Sequence, residues 1–238
     1  MVADAAAPAS GRPGHVQEMA TGLIGAAGFE PLGLGSRRGR LIAFEGIDGV
    51  GKTTQSRILA ERIGALYTWE PGSTPLGRAV REVVLARDEL AISAEAESLL
   101  MLADRAQHVS DVVRPALEAG RWVVSDRFVF STLAYQGYGR GLDLGILEEL
   151  CRWSTGGLWP DLNVLLVLDE QAAAERLDAE PDRLESDGRD FFEKVQAGYL
   201  KMAAADPDRW VVFYADLTVE ELAREIETAV LERLSPHA

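Results

Sequence analysis

A glycine-rich stretch, FEGIDGVGKTT at residues 44–54, most constrains how this chain can fold. Residues 46–53 match the spacing G-x-x-x-x-G-K-[ST], and a chance match in a chain of this length is roughly a one-in-a-hundred event. Such a loop follows a strand and opens a helix, so its backbone N–H groups and the helix N-terminus point at bound phosphates. The stretch therefore predicts a strand–loop–helix unit that binds a nucleotide.

Six positions of this loop are predicted to bind ATP. Lys52 supplies a mobile positive charge, and Thr53 offers its hydroxyl to Mg²⁺, which is therefore the expected cofactor. The remaining positions present backbone N–H groups to the β- and γ-phosphates. The predicted ATP-binding residues are Gly46, Gly49, Gly51, Lys52, Thr53 and Thr54.

Short apolar runs alternate with longer amphipathic segments from residue 41 onwards. This alternation predicts an α/β fold with a parallel sheet of about five strands and helices on both faces. Ligands of such sheets bind at the carboxyl ends of the strands. The predicted strands lie in 41–46, 65–69, 121–126, 163–169 and 210–216, and the predicted helices in 53–63, 94–118, 142–153, 171–178 and 190–204.

Composition separates the first 39 residues from the rest of the chain. Residues 1–39 are rich in Ala, Gly and Pro, show no sustained period, and are predicted to form a flexible extension before a domain at 40–238. The formal net charge is −14, and residues 41–238 carry 20 basic against 35 acidic side chains. A domain this acidic repels a nucleic-acid backbone, which argues against a polynucleotide partner.

The cysteine count and the hydropathy favour a cytoplasmic protein. Cys151 is the only cysteine, which excludes an intrachain disulfide and a zinc cluster. No apolar stretch reaches the roughly 18 residues of a membrane span, and the N-terminal segment lacks the features of a secretory signal. We therefore expect no membrane partner.

The stretch DRFVFSTLAYQGYGRG at 126–141 predicts a second phosphate site. Asp126 and Arg127 leave a strand at its carboxyl end, beside the glycine-rich loop if the sheet is wound in the usual way. Thr132, Tyr135 and Gln136 share one helix face, because they are spaced i, i+3 and i+4. These three side chains could bind a base and a sugar, while Arg127 binds an anion located between the two substrates.

ATP hydrolysis is an alternative function for a chain with this glycine-rich loop. The stretch VLLVLDE at 164–170 looks like the strand of P-loop ATPases that ends in Asp-Glu, with Asp169 and Glu170 as the pair that activates water. The same two residues are also common as a cap at the start of a helix. The alternatives are therefore a P-loop ATPase and a nucleotide-binding module without catalysis.

Taken together, these motifs resemble the thymidylate kinases, which are P-loop nucleoside monophosphate kinases. The resemblance covers about residues 41–230 and includes EPG at 70–72, LADRAQHV at 102–109, DRLE at 182–185 and DFFEKVQAGYL at 190–200. It implies transfer of the γ-phosphate of ATP to dTMP, giving dTDP and ADP. It also implies a P-loop kinase fold, a small mobile lid at about 176–189, and a homodimer.

The resemblance further implies individual roles. Asp48 would approach the nucleotide 3′-hydroxyl and the magnesium shell, with Thr53 and Asp126 as further metal-site residues. Lys52, Arg127 and Asp48 would be catalytic. Because position 50 is a valine, the transition-state cation would come from the lid, where Arg183 is the first candidate and Arg176 the second.

The acceptor site implied by the resemblance is drawn from three stretches of the chain. Arg105 and Arg127 would hold the monophosphate. Thr132 and Gln136 would meet the thymine edge, and Tyr135 would crowd the sugar 2′-position and favour deoxyribose. The implied dTMP-binding residues are Asp48, Met101, Arg105, Arg127, Thr132, Tyr135 and Gln136.

Several positions depart from the usual family residues. Trp69 replaces an arginine before Glu-Pro-Gly, Ser73 replaces a glycine after it, and Met101 replaces a phenylalanine that stacks on thymine. The predicted lid is also short and acidic. These departures leave open a modified deoxypyrimidine monophosphate as the acceptor, and they predict a weakly held acceptor phosphate. We expect His108 on a helix surface and Trp153 in internal packing.

Overall fold

Five parallel strands form the central sheet of the computed structural model, in the order β2-β3-β1-β4-β5. The structure describes residues 38–85, 90–168 and 188–234. The order and direction confirm the predicted α/β fold, and every strand falls within a predicted apolar run, except that the fourth begins one residue before its run. The strands are β1 (Leu41–Glu45), β2 (Leu66–Trp69), β3 (Val123–Asp126), β4 (Leu162–Val167) and β5 (Trp210–Tyr214).

The central strands are apolar because both faces of the sheet are covered. All residues of β1, β3 and β4 are buried, as expected for a parallel sheet with helices packed against it. The edge strands β2 and β5 are less covered, with one buried residue each. The pairing brings Phe44 of β1 beside Asp126 of β3, so the predicted second site adjoins the glycine-rich loop.

Helices connect the strands and continue past the last one. Two of them, α2 and α8, add to the predicted set, and the predicted helix at 94–118 is a continuous helical path with a π-helical turn at Val109–Val113. A second π-helical turn, Leu133–Gly139, follows α5. The helices are α1 (Lys52–Arg62), α2 (Pro75–Leu85), α3 (Ala94–His108), α4 (Arg114–Glu118), α5 (Val129–Thr132), α6 (Leu144–Ser154), α7 (Arg189–Ala205) and α8 (Val219–Leu234).

Side-chain caps fix the start of two helices near the site. Ser93 Oγ accepts from the backbone N–H of Ala96 at 3.2 Å and begins α3. Asp143 Oδ1 accepts from Ile146 N at 2.9 Å and begins α6. Such caps satisfy N–H groups that have no partner inside the helix.

The described residues before β1 are attached to the domain. Gly39 N donates to Leu117 O at 2.8 Å, and Arg38 and Arg40 each lie 3.0 Å from the carboxylate of Asp161. That carboxylate also accepts from Leu41 N at 2.8 Å. The chain is therefore anchored to the sheet from residue 38 onwards.

Some predictions lie outside the described residues. They concern most of the extension at 1–39, the helix at 171–178, most of the lid, and the residues Asp169, Glu170, Arg176 and Arg183. Within the described ranges, no helix is both long and apolar enough to cross a membrane.

Candidate active site

The glycine-rich loop runs from the end of β1 to the start of α1, as predicted. Gly46 and Gly51 have φ values of +138° and +92°, a region that favours glycine. A Cβ on Gly46 would lie 2.4 Å from the carbonyl oxygen of Leu166 on β4, so no other residue fits there without a shift. These two positions explain why the loop needs glycine at its first turn and at the start of the helix.

Lys52 is buried at the start of α1 and points back into the loop. Its Nζ donates to the carbonyl of Ile47 at 2.6 Å and lies 3.5 Å from Asp48 Oδ1. Burial and the nearby charge of Arg127 lower the pKa of Lys52, while Asp48 opposes that shift. The ammonium is therefore poorly hydrated, which strengthens its attraction to a bound phosphate.

Thr53 and Asp126 join the loop to the end of β3. Thr53 Oγ1 donates to Asp126 Oδ2 at 2.5 Å. The other carboxylate oxygen, Asp126 Oδ1, is buried and has no hydrogen-bond partner among the described residues. An open carboxylate oxygen beside a hydroxyl is the kind of oxygen donor set that fits Mg²⁺.

Arg127 adopts a backbone conformation that is uncommon for a residue with a side chain. Its φ is +69°, and the turn is held by Ser125 Oγ, which donates to Arg127 O at 2.7 Å, and by Arg127 N, which donates to Phe44 O at 2.9 Å. Strain of this kind persists only where the surrounding structure enforces it and often marks functional sites. The turn directs the guanidinium toward the loop.

The guanidinium of Arg127 contacts both the loop and helix α5. It donates to Gly46 O at 3.1 Å and to Ser131 Oγ at 3.2 Å, and it forms an ion pair with Asp48. Tyr135 Oη accepts from it at 3.1 Å. One cation thus connects the predicted ATP loop with the helix predicted to face the acceptor.

Asp48 balances the charge of these cations. Burial opposes its ionisation, but the charges of Arg127 and Lys52 outweigh burial and hold the pKa of Asp48 well below its usual range. Its second oxygen accepts from Tyr135 Oη at 3.0 Å. Because both oxygens already have partners, Asp126 is the better-placed carboxylate for a metal.

Arg105 is buried on α3 and most of its donors are already used. Its Nε donates to Glu70 Oε2 at 2.8 Å, one Nη to Thr132 Oγ1 at 2.7 Å and the other to Phe128 O at 2.9 Å. Burial opposes the ionisation of Glu70, but Arg105 and His108 outweigh it and lower the pKa of Glu70. Arg105 therefore lies beside Thr132, with little donor capacity left for a phosphate.

The expectation that His108 lies on a helix surface is wrong. His108 is fully buried, with Nδ1 2.8 Å from Glu70 Oε1 and Nε2 2.7 Å from Thr68 Oγ1. It contacts β2 through Thr68, 40 residues earlier in the chain, and such a long-range contact is not visible in the local pattern. The ring supports Glu70, which in turn holds Arg105.

A cleft of about 660 Å³ collects most of the predicted site residues. Gln136 projects into it with its amide nitrogen held by Glu97 Oε1 at 2.8 Å. Gly46 contributes through its carbonyl rather than by lining the cleft, and Arg183 lies outside the described residues. The predicted residues that line it are Asp48, Gly49, Gly51, Lys52, Thr53, Thr54, Met101, Arg105, Asp126, Arg127, Thr132, Tyr135 and Gln136.

The positions that depart from the family residues fall partly in this cleft. Trp69 and Met101 line it, as expected, whereas Ser73 does not. Trp69 is 39% exposed, and its ring stacks on Tyr67 with the ring centroids 5.7 Å apart. The indole therefore forms part of the cleft wall at the end of β2.

Sequence reasoning missed several polar residues of the site. Glu45 is fully buried at the end of β1 and accepts from Ser131 Oγ at 2.7 Å and Tyr199 Oη at 3.0 Å. Burial raises the pKa of Glu45 to about 7, although the Ser131 hydrogen bond and the charge of Arg127 act against it. The sequence feature that could have identified Glu45 is a carboxylate within an otherwise apolar strand. Other missed residues that line the cleft are Arg57, Glu70, Arg81 and Asp104.

Comparison with known proteins gives a consistent family. The sequence model of the family described as thymidylate kinase matches residues 44–226. The chain is 44% identical to the thymidylate kinase of Paraburkholderia xenovorans over 204 residues, covering 81% of this chain and 98% of that protein. It is 49% identical to the thymidylate kinase of Desulforudis audaxviator over 185 residues, covering 75% and 84%.

A solved structure from the same family has a similar fold. The crystal structure of thymidylate kinase from Ehrlichia chaffeensis is similar, with a TM-score of 0.68 and 29% sequence identity over 81% of this chain and 99% of that one. The fold and the cleft define a P-loop nucleotide phosphotransferase. With the family model and these relatives, the chain belongs to the thymidylate kinase family. It is an ATP-dependent kinase that phosphorylates dTMP, and the ATPase alternative is disfavoured.

Proposed function

We propose that transfer of the γ-phosphate of ATP to dTMP takes place across Arg127, with ATP on the glycine-rich loop and dTMP between β2, β3 and α3. The observation that supports this arrangement is the double contact of Arg127 with Gly46 O on one side and with Ser131 and Tyr135 on the other. A cation between two phosphates lies where negative charge accumulates during phosphoryl transfer.

The chain mainly positions and neutralises its substrates. The acceptor phosphate is already a nucleophile, so an oxygen of dTMP attacks the γ-phosphorus of ATP while the bond to ADP breaks, and no general base is assigned. Lys52 and the loop N–H groups align the donor phosphates. Arg127 and Lys52 neutralise the charge that spreads over the transferred group.

Arg105 receives a different role here from the phosphate-binding one that the resemblance implies. Its hydrogen bond to Thr132 Oγ1 supports a role beside the side chains expected at the thymine edge. We therefore propose that Arg105, Thr132 and Gln136 bind the thymine base and that Met101 packs on the thymine ring. Tyr135, held by Asp48, is assigned to the sugar.

The metal site is proposed at Thr53 and Asp126. The unpartnered Asp126 Oδ1 and the adjacent Thr53 hydroxyl supply hard oxygen ligands, and the nucleotide phosphates would complete the shell. Bound Mg²⁺ supplies charge neutralisation on the phosphates. Asp48 contributes to this site through the cations that it orients rather than as a free ligand.

We assign to the lid a further cation that neutralises the negative charge remaining in the transition state. Val50 is buried in the loop and carries no charge, so we propose Arg183 as the further cation, with Arg176 as the alternative. The lid also excludes water from the γ-phosphate, and this exclusion separates phosphate transfer from hydrolysis.

Product stoichiometry tests the proposed function. The protein is incubated with ATP, Mg²⁺ and dTMP, and the nucleotides are separated by ion-exchange chromatography. We expect dTDP and ADP in equal amounts, and no dTDP when dTMP is replaced by thymidine. ADP formed in excess of dTDP would instead indicate hydrolysis.

We also propose that the protein is a homodimer, through the exposed apolar face of α6 beside α3. Trp153, expected in internal packing, is instead 81% exposed, and Ile146, seven residues earlier on the same helix, is 60% exposed. Leu99 on the neighbouring α3 is 58% exposed. Large apolar side chains grouped on a surface commonly mark an interface.

Light scattering coupled to size-exclusion chromatography tests the dimer. The wild-type protein should elute with twice the mass of the chain, and Trp153→Glu should elute as a monomer. Tyr214→Glu, which adds the same charge at an exposed aromatic on β5, is the matched control and should remain dimeric. A monomeric wild-type protein would contradict the proposal.

The proposed location is the cytoplasm. Cys151 is buried with a free thiol, and free thiols are typical of reducing compartments. Finding the protein in the membrane or secreted fraction of cells that produce it would contradict this location.

A further inference from the structure

Glu97 is a buried carboxylate on α3 that lies one side chain behind the cleft. It does not line the cleft itself, but its Oε1 accepts from the amide nitrogen of Gln136 at 2.8 Å. Gln136 does line the cleft, where it is proposed to bind the thymine base. A buried charge therefore holds a side chain of the proposed base site.

Arg140 fixes Glu97 in turn. One Nη of Arg140 donates to Glu97 Oε2 at 3.1 Å, and Nε donates to Oε1 at 3.3 Å. The guanidinium also lies over the Phe191 ring of α7, with its central carbon 4.7 Å from the ring centroid. Paired N–H donors of one guanidinium give a carboxylate a defined geometry. Both oxygens of Glu97 are therefore held as hydrogen-bond acceptors.

The contact with Glu97 determines which end of the Gln136 amide faces it. An ionised carboxylate has only acceptor atoms, whereas an amide has two N–H donors and one carbonyl acceptor. The amide nitrogen must therefore face Glu97, as it does. Within the described ranges Gln136 Oε1 receives no hydrogen bond and yet is not enclosed, so it is open to the cleft. The amide thus offers a base an acceptor, with the second N–H beside it.

Pyrimidine bases differ in what they present to such an acceptor. Thymine and uracil carry a proton on N3 between two carbonyl groups, so N3 can donate to Gln136 Oε1 while the second N–H of the amide suits a carbonyl. Cytosine has a lone pair at N3 and an amino group at C4. Its N3 would face Oε1 with no proton between two acceptors, and both would lose a hydrogen bond.

Rotation of the amide would otherwise adapt Gln136 to cytosine. A rotated amide would present its nitrogen to N3 of the base, but its oxygen would then face Glu97. Two acceptors would oppose each other in a buried site, where an unmade hydrogen bond is costly. Glu97 therefore prevents the rotation that cytosine requires.

We infer that Glu97 is a positioning residue that fixes the orientation of the Gln136 amide and thereby selects pyrimidine bases with a proton on N3 over cytosine. This inference rests on the proposed function, in which Gln136 binds the base. It assigns base selection in part to an ion pair, Glu97 with Arg140, that lies behind the residues in contact with the substrate.

The monophosphates dUMP and dCMP are the matched ligands for the test, because both lack the 5-methyl group and they differ only at N3 and C4. Titration calorimetry gives the dissociation constant of each with the wild-type protein and with Glu97→Gln. We expect the wild type to bind dUMP about 10²-fold more tightly than dCMP. In Glu97→Gln this ratio should fall about tenfold, because an amide at position 97 can donate or accept and lets Gln136 rotate.

Two further variants complete the test. Glu95→Gln, at an exposed position of the same helix, is the matched control and should keep the wild-type ratio. Glu97→Gln combined with Arg140→Gln removes both charges of the ion pair and should show the same reduced ratio as Glu97→Gln. The double variant replaces the single one if Glu97→Gln does not fold.

Two results would overturn the inference. One is equal binding of dUMP and dCMP by the wild-type protein. The other is an unchanged ratio in the Glu97 variant, including an equal loss of both ligands, which would assign Glu97 to packing alone. Calorimetry does not depend on turnover, so a wild-type protein that selects dUMP over dCMP without phosphorylating dTMP would contradict the proposed function and not this inference.

Discussion

Thr53 Oγ1 lies 2.5 Å from Asp126 Oδ2, so the first turn of α1 is bonded directly to the last residue of β3. Asp126 is followed by Arg127, whose guanidinium returns to the loop at Gly46 O. The loop proposed to bind the donor phosphates and the turn that carries Arg127, the proposed acceptor cation, are therefore positioned by the same pair of contacts. A change at Asp126 should affect metal binding and phosphate alignment together.

Asp126→Asn should raise the Mg²⁺ concentration for half-maximal activity by about 10-fold or more, since loss of a metal-site carboxylate typically weakens binding on that scale. The amide retains an acceptor for Thr53, so the fold should survive. Magnesium titrations of the initial rate measure the effect. Asp208→Asn, at an exposed position, is the control, and an unchanged magnesium dependence in Asp126→Asn would contradict the proposed metal site.

Arg183→Ala should lower kcat by about 10²-fold or more and leave ATP binding largely intact, because the lid cation acts in the transition state. Steady-state kinetics and a fluorescent ATP analogue provide the two measurements. If kcat survives this change but falls in Arg176→Ala, then Arg176 is the lid cation. If neither variant is slower, the lid assignment is wrong.

Glu45→Gln should change how stability depends on pH. The pKa of Glu45 is about 7 in the folded protein against 4.5 as a free side chain, because burial disfavours its charge. Between these pH values the folded state binds more protons, so the free energy of unfolding falls as pH rises. The full effect is on the order of 3 kcal/mol, and it is lost in the glutamine variant.

Urea titrations at pH 5 and pH 8 measure this difference. The wild-type protein should lose more stability than Glu45→Gln between the two conditions, and the exposed Glu225→Gln should behave as the wild type. Parallel pH dependences for wild type and Glu45→Gln would show that Glu45 is not the group that titrates.

Removing residues 1–37 should leave kcat/KM for dTMP within about twofold of the full chain, because the described contacts begin at Arg38. Removing residues 1–40 should lower the thermal midpoint, since Gly39 N and the two arginines at Asp161 are lost. Thermal denaturation and kinetics of the two truncations check this. A folded 1–37 deletion without activity would assign a functional role to the extension.

The sequence predicted the sheet and the donor loop because both are encoded locally. The five apolar runs became the five strands, and the spacing of glycine and lysine required a loop at the end of the first one. The placement of Asp126 beside that loop also followed, because parallel strands of an α/β sheet bring their carboxyl ends to one edge.

The partners of individual side chains were not predictable in this way. Arg105 is bound by Glu70, 35 residues earlier, and by Thr132, 27 residues later, so its role depends on how α3 lies against β2 and α5. The burial of His108 and the exposure of Trp153 likewise depend on which distant elements pack against their helices. Helical periodicity indicates a face but not what covers it.

Initial rates of ADP release across a panel of acceptors test the central claim most directly. The protein is supplied with ATP and Mg²⁺ and with dTMP, dUMP, dCMP, dGMP, the ribonucleotide of thymine, or no acceptor, in a coupled assay. We predict rapid ADP release with dTMP, slower release with the other acceptors, and almost none without an acceptor. ADP released equally fast in the absence of any acceptor would contradict the account.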